Sequence, residues 1–485
     1  MSISHLAPQS LWKHFQALCD RPRPSKHEGL VIEYLRDFAE QHQLTFLQDE
    51  VGNVVIKKAA SAGMEKARTI AMQCHIDMVP QKRNDIEHDF TCDPIRPVID
   101  GEIVRAQGTT LGADNGIGVA AMLAVMESAD IIHGPLEALF TVDEEAGMSG
   151  AKGLNSQILE ADILFNLDSE DEGELYVGCA GGVDVTLDCP VATLPCFGDM
   201  AAVELHISGL RGGHSGIDIH LGRANANILM ARLLLDLRAR FDIYVTDIVG
   251  GTLRNAIPRD ARANIVLSPQ RVQDVKQYAA DFLARQQAAF EGIEAGLNIT
   301  CNVALVAERY FDPGQCDSLL EAILATPNGV LERHPQHHDI IQTSSNLAII
   351  KCLPGGIEVQ CLVRSAENTG KYRAGREIAA VYDALSPAVS VDGAYSGWSP
   401  NMDSPVLAAM SALYERDFGA IPEVKVIHAG LECGILGGIY PHMDMISFGP
   451  TIRCAHSPDE YVEIESVARF WQYLRTSLSE VAKVA

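Results

Sequence analysis

The first third of this chain alternates short apolar runs with helical stretches, and a histidine or an acid closes most of the runs. Residues 69–74 form an apolar run followed by His75-Ile76-Asp77; residues 136–142 lead into Glu144-Glu145; residues 163–167 end at Asp168. Between them, residues 10–19, 27–42 and 117–128 have helical periodicity, and residues 53–58 read as a further strand. Such alternation predicts an α/β sheet with a largely parallel centre, sandwiched by helices. In a sheet of that kind, side chains at the strand ends face a ligand crevice.

The pattern changes after Gly181-Gly182. Residues 202–208 alternate like a half-exposed strand, and 225–238 and 272–290 read as helices with a strand at 264–267 between them. A similar order of strand, turn, strand and helix returns at 346–350, 356–363 and 374–385. Asn255-Ala256-Ile257 faintly echoes Asn346-Leu347-Ala348-Ile349, one reading being an internal duplication. Residues 393–404 look like a loop that crosses back. Beyond them come a strand at 424–427 and a closing helix at 464–480. A chain of 485 residues exceeds what one core usually serves. The expected architecture is therefore a discontinuous α/β domain made from both chain ends, 1–182 with 397–485, and an α+β domain, 183–396, inserted between them.

Composition removes several function classes. A formal net charge of −26 leaves no basic surface for nucleic acid. No apolar run reaches membrane-spanning length, and the first ten residues lack the features of a signal peptide. The twelve cysteines are scattered singly with no Cys-x-x-Cys pair, which suits reduced thiols in the cytoplasm.

His75 and Asp77 lie two apart, so on an extended chain they share a face. A carboxylate beside an imidazole fixes its tautomer for metal binding. Asp114, in Gly112-Ala113-Asp114-Asn115-Gly116, reads either as a helix N-cap or as a carboxylate that bridges two metals. Glu144-Glu145 and Asp168 are acids at strand ends. His456 follows the run Ile446-Ser447-Phe448-Gly449 closely. Histidine with carboxylate is the donor set of zinc, cobalt or manganese. It is oxygen-rich, unlike the sulfur-rich set of most structural zinc sites. Glu432, in the segment HAGLECG, reads either as a partner for a substrate's free amine or as a cap on the glycine-rich loop at Gly434.

With these residues in view, the chain resembles the di-zinc exopeptidase superfamily of carnosinases, peptidase V and glutamate carboxypeptidase, and within it the aminoacyl-histidine dipeptidases. The resemblance spans the whole chain. It rests on QCHIDMVP at 73–80, GTTLGADNGIG at 108–118, TVDEEAGMSG at 141–150, NLDSEDEG at 166–173 and SGLRGGHSG at 208–216. It implies two zinc ions per chain, with cobalt or manganese as substitutes. His75 would bind one and His456 the other, Asp114 would bridge them, and Glu145 and Asp168 would each complete one shell. It implies that Asp77 holds the His75 imidazole and that Glu144 is the general base. It implies that the inserted domain is a lid, in which His214 would be the oxyanion donor, and Asn255 and Arg364 would hold the substrate carboxylate. The implied activity is hydrolysis of unblocked dipeptides, Xaa-His among them, by a cytoplasmic enzyme that is expected to be a homodimer. The rival is an amidohydrolase of N-acyl amino acids with the same metals.

Overall fold

The computed structural model describes residues 2–483, which form two compact units. The first comprises the chain through Gly178, Trp398–Val426 and the part from Leu431 on; the second is Cys179–Gly397 with Ile427–Gly430. The divisions fall within a few residues of 182 and 396, and the second unit also takes the short segment just before Leu431.

The first unit is built on an eight-stranded sheet. Its four central strands are Leu136–Thr141, Ile70–His75, Ile163–Asn166 and Asp444–Ser447, all parallel. Every residue of the first three is buried, as expected of strands covered on both faces. Antiparallel strands flank them, Thr45–Gln48 and Val54–Lys58 on one side and Glu174–Cys179 on the other. Helix Ala113–Glu127 is buried throughout except at Asp114 and Glu127, which is why its sequence is apolar all round. Helix Gln9–Cys19 packs along it. A separate small sheet of Ile452–Arg453, Tyr461–Glu463, Ile103–Ala106 and Pro97–Asp100 carries the loop with His456 between its first two strands.

The second unit is a nine-stranded antiparallel sheet with its own apolar core. Its order reveals a doubling. Strands Ala201–Ser208, Ile243–Gly250, Ala261–Leu267 and Asn298–Ala304, with helices Ala226–Arg238 and Val272–Ala289, make one βαββαβ half. Strands Gly181–Pro190, Ile341–Leu353, Gly356–Ser365 and Ala388–Tyr395, with helices Pro313–Ala325 and Asn368–Val381, make another. Each half orders its strands fourth, first, third, second, and the halves meet at Gly250 and Ile350. The first half is inserted after the opening strand of the second.

Three expectations are corrected. The residues of the echo are not equivalent, because Asn255 lies in a loop and Asn346 inside a strand; instead, Asn346 Nδ2 donates to the carbonyls of Arg254 at 3.1 Å and Ala256 at 2.8 Å. The helix expected at 374–385 starts at Asn368, where its first turn is polar and hides the period. Residues 393–395, expected as the start of a loop, close the strand Ala388–Tyr395; it is an edge strand exposed along almost its whole length, and the Gly393 within it reads as a turn signal.

Candidate metal centre

The parallel strands end side by side, and their closing residues converge. The two oxygens of Asp114 face different histidines. Oδ1 is 3.2 Å from His75 Nε2, and Oδ2 is 3.2 Å from His456 Nε2. Asp168 Oδ1 lies 3.3 Å from His75 Nε2, and Glu145 Oε2 lies 3.0 Å from His456 Nε2. The candidate ligand atoms of His75, Asp114 and Asp168 all lie within 4.8 Å of one another, as do those of Asp114, Glu145 and His456, and those of His75, Glu144 and Glu145. Two clusters thus share one carboxylate.

Asp77 organises the back of this arrangement. Its Oδ1 is 3.3 Å from His75 Nδ1 and accepts the Glu144 amide at 3.1 Å. Its Oδ2 accepts the Ser25 hydroxyl at 2.7 Å and the Glu145 amide at 3.2 Å. Burial works against the charged form, but these bonds, above all with His75, hold the carboxyl down at about 2. An ionised Asp77 keeps the proton of His75 on Nδ1 and leaves Nε2 free to bind a metal.

The charges do not balance by themselves. Burial pushes the Glu144 carboxyl well above its ordinary value, with Asp168, Glu432 and Glu145 adding repulsion and His75 opposing it. Hydrogen bonds to Asp114 and Glu145 push His456 up to about 11. Were the histidines neutral and the acids ionised, as metal binding requires, Asp77, Asp114, Glu144, Glu145 and Asp168 would carry a formal −5, most of which two divalent cations would offset. The oxygen and nitrogen donors fit such cations.

Helix Ala113–Glu127 is kinked at Asp114, whose backbone is extended, and both oxygens of its carboxylate face histidines. Glu432 is fully buried at the start of the short helix Glu432–Ile439, and its Oε2 accepts from Gln73 Nε2 at 2.6 Å and from the Thr141 hydroxyl at 2.6 Å. Among the described residues its Oε1 has no hydrogen-bond partner. Burial pushes the carboxyl up to about 8. Sequence reasoning also passed over Glu170, which burial and the charges of Asp114 and Asp168 push up to about 8. It follows Asp168 by two residues, and its place in the acidic run Asp168–Gly173 was the available signal.

His214, Asn255 and Arg364 belong to the second unit, where they come together. The His214 backbone bridges to Ala256, and the Ser215 amide donates to the Asn255 carbonyl at 2.8 Å. Arg364 Nη1 donates to Tyr395 Oη at 2.8 Å, and Nη2 lies 3.4 Å from His214 Nε2. His214 Nδ1 accepts the amides of Gly216 at 3.2 Å and Ile217 at 3.1 Å. Burial first, then the Arg364 charge, lower this imidazole to about 4. A neutral ring that accepts at Nδ1 carries its proton on Nε2. His214 and Arg364 therefore present converging donors, an arrangement suited to a carboxylate or an oxyanion.

A parallel α/β sheet that gathers histidines and carboxylates into two clusters around a shared aspartate defines a metal-dependent hydrolase. The chain belongs to peptidase family M20/M25/M40, whose model matches residues 71–480. It is 42% identical over 479 residues to the cytosol non-specific dipeptidase of Escherichia coli (strain K12), covering 99% of both chains. It is 41% identical to the aminoacylhistidine dipeptidase of Vibrio alginolyticus, whose crystal structure matches with a TM-score of 0.90 over 99% of this chain and 98% of that one. The aminopeptidase PepT of Bacillus cereus ATCC 10987 shares the fold at 16% identity, with a TM-score of 0.57 over 99% of this chain and 100% of the other. Among the described residues, no helix is long and apolar enough to cross a membrane.

Proposed function

We propose that the chain is a cytoplasmic dipeptidase that holds two metal ions, zinc in the first instance, and hydrolyses unblocked dipeptides, Xaa-His among them. The observation that carries this reading is the shared carboxylate, with Asp114 Oδ1 turned to His75 and Oδ2 turned to His456. His75 and Asp168 would hold one ion, His456 and Glu145 the other, and Asp114 both. Bound there, the ions would polarise the scissile carbonyl and make water acidic enough to attack near neutral pH.

The protein's own groups do the rest. Glu144 takes the proton of the attacking water and returns it to the leaving amine. Its burial and acidic neighbours raise its affinity for that proton. Asp77 keeps the His75 ring in register. His214 Nε2–H stabilises the oxygen of the tetrahedral intermediate, and Arg364 with Asn255 holds the substrate's carboxylate. The dipeptide reading is favoured over hydrolysis of N-acyl amino acids by the 42% identity to a dipeptidase.

A homodimer remains the proposed assembly. Mixing inactive Glu144→Gln and His214→Ala proteins tests how His214 acts: recovered activity would mean action across subunits, and stable dimers without recovery would mean action within one chain. The test of function is hydrolysis of a panel by protein of measured metal content. β-Alanyl-histidine and other free dipeptides should be cut, and N-acetyl amino acids and dipeptide amides should be poor. Preferential cleavage of the N-acetyl compounds would overturn the reading.

A further inference from the structure

Two buried charges that the proposed chemistry does not use grip the turn that carries Asp114. Glu460 is 2% exposed, and its carboxylate accepts four successive backbone amides. Oε2 receives those of Leu111 at 2.7 Å and Gly112 at 2.9 Å; Oε1 receives those of Ala113 at 2.8 Å and Asp114 at 3.2 Å. Glu460 thus gathers, from across the chain, the amides of the turn that leads into the helix. Arg23, also 2% exposed, grips the carbonyls. Its Nη1 donates to Ile76 at 3.0 Å and Asp77 at 2.8 Å, and its Nη2 donates to Gly112 at 2.5 Å. One guanidinium therefore ties the strand end that bears His75 to the turn that bears Asp114.

The glycines of the turn make room for this. Gly112 has φ of 69°, and a Cβ there would lie 2.5 Å from Arg23 Nη2; a Cβ at Gly116 would lie 2.6 Å from the same atom. Glu460 also closes the loop that holds His456, and its amide donates to the Ser457 carbonyl at 3.0 Å. The carboxylate thus couples the His456 loop to the backbone of Asp114, while Arg23 couples the His75 strand to it.

We propose that Glu460 and Arg23 are positioning residues that hold Asp114 in the pose needed to bridge, and so set the affinity of the second metal ion more than that of the first. This rests on the two-metal reading above. With one ion bound, Asp114 can follow it through small shifts of its turn. With two, both oxygens must meet fixed partners, and the turn has no freedom left. The cluster of Asp114, Glu145 and His456 is the more sensitive one, because His456 sits on a loop while His75 ends a buried strand.

Glu460→Gln tests the claim with little change of shape. The amide nitrogen would face two of the four backbone N–H groups, and the remaining oxygen would lose its charge. Arg23→Lys is the second variant, because an ammonium cannot span the three carbonyls as the planar fork does. Metal-free proteins are titrated with zinc against a chromophoric chelator, alongside circular dichroism and melting of the metal-free forms. Wild type should bind two ions. Each variant should keep the fold and the first affinity, and bind the second ion about 10–100-fold more weakly, the usual range for partners that orient ligands. In a His456→Ala background, Glu460→Gln should leave the remaining affinity unchanged. Two wild-type affinities in both variants would overturn the proposal. So would equal weakening of both steps with a lower melting point of the metal-free protein, which would make the pair merely structural. Fewer than two ions on wild type would instead remove the two-metal reading itself.

Discussion

Replacing Asp77 by Asn changes one oxygen into a nitrogen at the hub behind His75. The four donors at Asp77 allow the loss to be worked out. If the new amide nitrogen takes the place of Oδ2, the Ser25 hydroxyl can reverse and accept from it. The Glu145 amide cannot reverse, so it loses its acceptor and meets another donor. Oδ1 still accepts from Glu144 and His75, but without a charge. A hydrogen bond to a charged group contributes about 1.5–3 kcal/mol, and the charged form is roughly twice as strong as the neutral one. Losing one such bond and weakening two others comes to at least about 3 kcal/mol. At about 1.4 kcal/mol per factor of ten, that is a loss of roughly a hundredfold. The assay pairs zinc affinity, by chelator competition, with kcat/KM on a free dipeptide. The combined loss should approach a hundredfold, with the melting point of the metal-free protein within a few degrees of wild type. An Asp77→Asn enzyme with unchanged zinc affinity and unchanged kcat/KM would refute the reasoning.

Glu144→Gln should keep both metal ions and lose about 10²–10⁴-fold in kcat, the usual range for a general base; normal metal content with a near-normal rate would remove Glu144 from that role. Arg364→Ala should lower kcat/KM for dipeptides while leaving the already poor turnover of dipeptide amides little changed, and equal losses on both would dismiss a carboxylate clamp. His214 is held down at about 4, below the ordinary histidine value of about 6.5. Folding therefore favours its neutral form, and the stability this contributes is complete above about pH 6.5 and is lost as pH falls towards 4. Its ring proton resonances should stay flat from about pH 6 to 8, and a midpoint near the ordinary value would contradict the burial argument.

His75, Glu145 and Asp168 were legible as candidates because each follows an apolar run, and the parallel sheet aligns the ends of such runs; Asp114, in a glycine-rich turn, and His456, in a loop of the small sheet, carry no such mark. Asp77 was legible from its place two residues after His75, just beyond the strand end. Glu460 and Arg23 were not. Their partners are backbone groups, which carry no residue signature, and they lie more than three hundred residues away for Glu460 and more than fifty for Arg23. The burial of Glu432 was not legible either, because a glutamate in a glycine-rich segment looks accessible, whereas Gln73 and Thr141 hold its Oε2 inside the sheet. The doubling of the second unit was only faintly visible. One half interrupts the other after Gly181–Pro190, so the repeat is not contiguous in sequence, and the echo of Asn255 with Asn346 joined residues that do not correspond.

The central claim is that Asp114 bridges two ions, and anomalous diffraction from zinc-loaded crystals tests it most directly. Two peaks are expected, about 3.5–4 Å apart as in other two-metal sites, one beside His75 and Asp168 and the other beside His456 and Glu145, with the Asp114 carboxylate between them. A single peak at full catalytic activity, or a second peak away from His456, would contradict it.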